Sequence, residues 1–274
     1  MNRIFWFALI VLTVIHPFTD AQVYNRVVSL APSITKNIYS MGAQKQLAGC
    51  TSYCKTNKTD NIKIVANAVQ VNMEILAGLK PDLVLIMGLT PPESIEMIKK
   101  LGIKFVKFET PRNFEEICQQ YIETGKLLGF EKEAILKTNT EKAKLEKLKQ
   151  KIPKGKKPAI FIELGIKPLF AVIPNTFMHD YILTLGGTNI ATDVNSGIIS
   201  KETVLMRNPD AIFITAMGNS EADELKSWKS YRQLNASKNN MIFTLDSDMA
   251  CTPCPDSYTA TVYRMFELLY GKQD

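Results

Sequence analysis

Histidine is nearly missing from this chain: two occur in 274 residues, His16 and His179. Zinc hydrolases and paired-His metal carriers need imidazole clusters, so both classes are excluded. Tryptophan is equally scarce, at Trp6 and Trp228. There is no G-x-G-x-x-G, no G-x-x-x-x-G-K, no G-x-S-x-G and no H-E-x-x-H, so no common phosphate cradle, nucleophile elbow or metalloprotease helix is signalled. Nowhere does an apolar run reach the roughly 18 residues of a membrane span. What remains is 46% hydrophobic and 22% charged with a net charge of +6, the composition of an ordinary folded protein. So small an excess bears on association rather than on ligand identity.

The first residues read as an address. Arg3 precedes the apolar run Ile4 to Ile15, and a polar stretch ends at Thr19-Asp20-Ala21. A positive n-region, an h-region and a small-x-small site predict a signal peptide over 1–21, cleaved near Ala21. An uncleaved anchor is the alternative. No Cys lies near the cleavage point, which disfavours a lipid anchor. Export implies a periplasmic, oxidising compartment in which paired cysteines persist as disulfides.

After Asn25 the chain alternates short β-rich runs with helical patterns. Arg26 to Leu30, Asp82 to Ile86 and Lys104 to Phe108 read as strands. Ser33 to Met41, Asn72 to Leu79 and Glu93 to Leu101 read as helices. The second half repeats the plan with strands at 159–162, 211–214 and 241–245 and helices at 177–185 and 200–206. Such alternation predicts parallel βαβ units. Glu74, Pro81 and Asp82 recur 128 positions later as Glu202, Pro209 and Asp210. The chain thus reads as two similar Rossmann-like α/β lobes, over 22–130 and 158–274. Between them, at 131–157, one long backbone helix is expected. Ile135, Leu145, Leu148 and Ile152 mark its apolar side, and its glutamates interleave with its lysines. That pattern suits a solvated helix better than a nucleic-acid patch.

Several of these residues together resemble a known family. Arg26-Val-Val-Ser-Leu-Ala-Pro-Ser33, Gly49-Cys-Thr-Ser-Tyr-Cys54, Asn72-Met-Glu74 and Leu79-Lys-Pro-Asp-Leu-Val84 carry the resemblance. Leu101-Gly-Ile103, Ser247-Asp248 and Pro255 follow in order. The pattern is similar to periplasmic binding proteins of ABC importers for cobalamin, siderophores and haem, the BtuF/FhuD-like class. That resemblance implies a corrinoid captured between two lobes and delivered to a membrane permease, with an iron-siderophore or haem as the alternative. It implies no catalysis, no cofactor, no nucleic acid and a monomer. Glu74 and Glu202 match the acidic residues that dock on the permease. Tyr53 matches an aromatic cleft position and Asp248 a polar one. The implied ligand set is Tyr53, Cys54, Met87, Phe170, Asp248, Cys251 and Cys254. Ala68, Met87 and Ser196 stand where cobalamin-binding relatives place tryptophans, and Thr252 where they place an arginine.

The cysteines stand apart from this pattern. Three residues separate Cys50 from Cys54 and two separate Cys251 from Cys254, and Cys118 is alone on the apolar side of a helix. Three readings stay open for the pairs: local disulfides, thiols that contact a metal in the ligand, and coincidence. A C-x-x-C also admits a secreted thiol oxidoreductase using Cys251 and Cys254. A four-Cys zinc site would lock the lobes together and is not expected. His179 and Trp228 both lie in apolar helical patterns, where satisfied core positions are expected.

Overall fold

The computed structural model describes residues 22–67, 70–88, 90–155, 157–215 and 221–271. The expected signal peptide and Ala68 lie outside the described residues. Five strands, β1 (Val27–Ser29), β2 (Leu47–Thr51), β3 (Lys63–Ala66), β4 (Leu83–Met87) and β5 (Phe105–Phe108), form a parallel sheet. Their order is β3-β2-β1-β4-β5. Helices α1 (Pro32–Ser40), α2 (Met73–Gly78) and α3 (Pro92–Lys100) supply the crossovers. Strands β1 and β4 lie in the middle and are apolar at nearly every position, because helices cover both faces. Val27, Leu83 and Leu85 pack on one side, and Val28, Val84 and Ile86 on the other.

Helices α4 (Phe114–Leu128) and α5 (Glu131–Lys149) lead to the second sheet. There β6 (Ala159–Ile166) lies between β9 (Ala211–Ile214) and β7 (Leu169–Ala171), with β10 (Ile242–Thr244) beyond β9 and the short β8 (Thr188–Asn189) also paired to β6. Pairing is parallel except for the β6–β7 hairpin, which the first sheet has no counterpart for. Helices α6 (Phe177–Thr184), α7 (Lys201–Arg207), α8 (Glu221–Ser230), α9 (Asn235–Lys238), α10 (Ser247–Cys251) and α11 (Pro255–Tyr270) complete the chain.

The 128-residue repeat does the same mechanical work twice. The Asp82 carboxylate accepts the N–H groups of Asn25 (2.8 Å) and Arg26 (3.1 Å) at the head of β1. The Asp210 carboxylate accepts the N–H of Ala159 (2.9 Å) at the head of β6. Asn72 caps α2 through the N–H of Ile75, and Ser200 caps α7 through that of Thr203. Each cap is worth about 1 kcal/mol.

Helix α5 joins the lobes, and its buried stripe differs from the expected one. Ala134, Thr138, Glu141, Leu145 and Leu148 are buried, at the alternating spacing of four and three that follows 3.6 residues per turn. Ile135 is 41% exposed, because α4 crosses at Ala134 instead. There the helices nearly touch: a Cβ on Gly125 would lie 2.7 Å from that of Ala134. Gly129, at φ +80°, then turns the chain from α4 into α5. Leu145 and Leu148 contribute roughly 2 kcal/mol each by burial, against at most about 1 for an exposed pair such as Lys149–Glu146. Hydrophobic burial therefore orients α5. Its first half packs in the first lobe's core and its last turns in the second's.

Glu163 on β6 is fully buried. Its Oε2 accepts the indole N–H of Trp228 at 2.6 Å, and Oε1 has no protein partner. Burial pushes its carboxyl up to about 7, with Glu224 adding to the rise and Trp228 and Lys201 opposing it. Unfolded, the group loses its proton near about 4.3. The folded chain therefore holds a proton that the unfolded chain releases, and stability falls as pH rises through about 7. Glu163→Gln removes this penalty. In urea unfolding, the variant is expected to gain on the wild type by on the order of 3 kcal/mol between about pH 5 and about pH 8. Parallel pH profiles for the two proteins would overturn the assignment.

Candidate functional site

In a parallel sheet every strand delivers its following loop to the same edge, and the crevice lies where neighbouring loops diverge. That edge of the first sheet opens here on a cleft of about 540 Å³. Leu30, Ala31 and Ser33 follow β1, Thr51 and Tyr53 come at the end of β2, and Asn67 follows β3. Met87 and Thr90 close β4, and Thr110 and Pro111 follow β5. The second lobe contributes Phe177, Cys251, Thr252 and Pro253. No Lys, Arg, Asp, Glu or His is among the described lining residues. Apolar walls alternate with hydroxyl and amide groups, the mixture expected of a small-molecule site.

Of the residues nominated from the sequence, Tyr53, Met87 and Cys251 line this cleft. Tyr53 is 61% exposed, and Met87 Sδ accepts a hydrogen bond from Ser33 Oγ at 3.5 Å. Cys54, Phe170, Asp248 and Cys254 are placed elsewhere. Phe170 on β7 covers Gly197 and Gly165 with its ring. Asp248 faces a side pocket of about 250 Å³ beside Lys36, Tyr39 and Lys55. Its carboxylate lies 3.5 Å from Lys36 Nζ and 3.2 Å from Lys55 Nζ. Lys36 Nζ also donates to Asp248 O (2.8 Å) and Thr252 Oγ1 (3.0 Å), so α1 of one lobe grips α10 of the other.

The cysteines separate by environment, and all five are unbridged thiols. Of the three readings left open for Cys251 and Cys254, the local disulfide is not formed, because the two side chains pack into different cores. Cys251 packs against the second lobe's core, while Cys254 packs in the first lobe's core and donates to Asp256 Oδ1 at 2.9 Å. Burial raises both thiols, the opposite of what a redox nucleophile needs. Nothing in the surroundings of this pair supports the oxidoreductase reading. Cys54 sits behind the cleft wall beside Cys50, its Sγ taking a hydrogen bond from Thr35 Oγ1 at 3.1 Å. Cys118 is fully buried. Among the described residues no three His, Cys, Asp or Glu side chains are grouped to hold a metal.

Glu74 and Glu202 both fall in the first turn of their helices and are exposed. Neither makes an ion pair among the described residues. The Glu202 carboxyl is held below its ordinary value by its own backbone N–H and the Ser200 hydroxyl. His179 is satisfied by Asn189, 3.1 Å from its Nδ1, and burial lowers its pKa. Trp228 is fully buried against Phe161 and Glu163.

Sequence reasoning missed Ser33, Thr51, Thr90, Thr110, Phe177 and Pro253 as lining residues. Most share one signal: each falls within a few residues of a strand's carboxyl end. Using it requires knowing every strand, and β2 and β3 give weak patterns.

The family model of the periplasmic binding proteins matches residues 27–249. An uncharacterised ABC transporter substrate-binding lipoprotein of Bacillus subtilis is 28% identical over 242 residues, covering 84% of this chain and 75% of its own. A vitamin B12-binding protein of Vibrio parahaemolyticus is 24% identical over 241 residues, covering 86% of each chain. The crystal structure of a possible iron-binding, periplasmic solute-binding protein of Staphylococcus epidermidis has a TM-score of 0.77 at 27% identity. That match covers 91% of this chain and 100% of the other. No described helix is long and apolar enough to cross a membrane. With its two parallel-sheet lobes, its interlobe cleft and a family match spanning both sheets, this chain belongs to the periplasmic binding protein family, in the BtuF/FhuD-like class of ABC-importer substrate-binding proteins.

Proposed function

We propose that this protein captures a corrinoid in its interlobe cleft and hands it to an ABC permease docked on Glu74 and Glu202. One observation carries the choice of ligand: no formally charged side chain stands among the described residues of the cleft wall. A corrinoid presents a flat macrocycle rimmed by neutral carboxamides. Apolar walls suit the ring, while Ser33, Thr51, Gln70 and Thr90 match the rim as hydrogen-bonding partners. Haem propionates and ferric catecholates bring anionic charge, which is held best by Arg or Lys. Lys36 and Lys55, in the adjoining side pocket, are already engaged by Asp248. The vitamin B12-binding relative supports the same class of ligand.

In this reading residues 22–130 and 158–274 are the lobes, 131–157 limits their motion, and 1–21 direct export. Symmetric placement supports the docking role: two exposed carboxylates occupy equivalent first turns, 128 residues apart. Complementing a helix dipole would contribute only about 0.3–1 kcal/mol and requires no such symmetry.

Gel filtration of the purified protein with cyanocobalamin, haemin or a ferric tris-catecholate, followed by absorbance, tests the ligand. Cyanocobalamin is expected to co-elute with the protein. Retention of haemin or the catecholate in its place would overturn the corrinoid reading. Tyr53→Ala is expected to weaken cyanocobalamin binding roughly tenfold, the loss of an aromatic contact worth about 1–2 kcal/mol. Glu74→Arg combined with Glu202→Arg is expected to leave that affinity unchanged and to abolish uptake by cells carrying the importer. Undiminished uptake would refute docking through these residues.

A further inference from the structure

Two cysteines flank the segment that brings Thr51 and Tyr53 to the cleft. Cys50 is fully buried on β2. Cys54 follows in a turn whose N–H bonds back to Thr51 O at 3.1 Å. Their thiols are neighbours close enough to shift one another's ionisation in opposite directions. Cys54 is only partly buried, and its Sγ is approached by Thr35 Oγ1 at 3.1 Å and Thr51 Oγ1 at 3.2 Å. Tyr53, which lines the cleft, lies between the two cysteines in sequence and within the same turn.

We propose that Cys50 and Cys54 form a thiol–disulfide exchange site, with Cys54 attacking and Cys50 resolving, whose oxidation by a small-molecule disulfide covalently closes the turn that carries Tyr53. The geometry makes the pair unequal. The Cys50 thiol and the two threonine hydroxyls converge on Cys54, and hydrogen bonds to a thiolate favour it over the thiol. The Cys54 thiol is accordingly held below its usual range, and the same contact raises that of Cys50. Exposure agrees with the division of roles, since the attacking sulfur must be reachable and the resolving one need only face it.

The exchange balances in two steps. Cys54 thiolate attacks one sulfur of the external disulfide, forming a mixed disulfide and expelling a thiolate. Cys50 then attacks Cys54 Sγ, gives up its proton and expels the second thiolate. Two protein thiols are oxidised to one disulfide, and the external disulfide is reduced to two thiols. No other pair fits. Cys118 is fully buried, Cys254 is committed to Asp256, and Cys251 has no thiol beside it. The chemistry does not depend on which solute occupies the cleft.

Incubation of the full chain with glutathione disulfide, then alkylation and tryptic mass mapping, tests the site. Peptide 46–55 holds both cysteines and is expected to lose two hydrogens and escape alkylation. Cys50→Ser is expected to trap a glutathione adduct on Cys54, and Cys54→Ser to leave Cys50 unmodified. Thr35→Val is expected to slow the reaction several-fold while the fold persists. Amide hydrogen exchange over 52–56 is expected to slow on oxidation. A wild-type peptide that stays fully alkylatable, an adduct on Cys251 in its place, or a Cys54→Ser protein that reacts as fast at Cys50 would each overturn the proposal. Unchanged exchange over 52–56 in the oxidised protein would overturn the closure of the turn.

Discussion

Asp256 is where the two halves of the molecule are tied. Its carboxylate accepts from Ser40 Oγ on α1 (3.0 Å), from Cys254 Sγ (2.9 Å) and from the backbone N–H of Ser257 (2.9 Å), and pairs with Lys137 Nζ on α5 (2.9 Å). Burial opposes its ionisation, yet Cys254, Lys137 and Ser40 together hold its carboxyl below the ordinary range. A carboxylate with this many donors is anchored more firmly than any exposed ion pair. It joins the first helix of one lobe, the connecting helix and the final helix of the other. Nearby, Asp180 Oδ2 accepts from the N–H of Phe114 and the hydroxyl of Tyr258, both at 2.8 Å, and so fastens α4, α6 and α11 together. Lys36 adds a third strap, from α1 to α10.

These ties set the width of the cleft. Helices α4 and α5 each lend side chains to the cores of both lobes, and Cys254, the N-cap of α11, packs in the first lobe's core, so the lobes share packing instead of hanging from a flexible linker. Moving them far apart would expose apolar area at about 25 cal/mol per Å² and strip partners from Asp180 and Asp256. A ligand therefore meets a nearly finished site. Among the described residues the wall it meets holds no charged side chain, and Lys36, Lys55 and Asp248 pair with one another in the adjoining side pocket.

Legibility in the sequence followed signal strength. Strands β1, β4, β5, β6 and β9 are dense in Val, Ile, Leu and Phe, and helices α1, α2 and α3 run into loops with clear stop signals; all were readable. Strand β2, Leu-Ala-Gly-Cys-Thr, offers one β-branched residue in five and gave no periodic mark. Helix α11 carries four β-branched or Tyr residues in its first half, and packing against α5 and the second sheet overrides that weak propensity. The apolar stripe of α5 was displaced by one residue at Ala134. Contact distance between two helices, and not hydrophobicity, selected the small side chain there. In the cleft, Tyr53, Met87 and Cys251 were legible, while Cys54, Asp248 and Cys254 lie close in sequence to cleft positions yet turn away from the cleft.

The sequence by itself determined the class: alternating strand and helix patterns, a 128-residue repeat of helix, Pro-Asp and strand, and acidic residues in matching first turns. All are local or periodic features, written in residue order by backbone geometry and turn chemistry. Only the tertiary structure decided which sulfur faces solute and which faces core. It also decided that the described residues of the cleft wall include no charged side chain, and that Cys50 and Cys54 become neighbours across the turn that carries Tyr53. Those outcomes depend on side-chain direction and on neighbours distant in sequence, and a difference of one position in a turn reverses them.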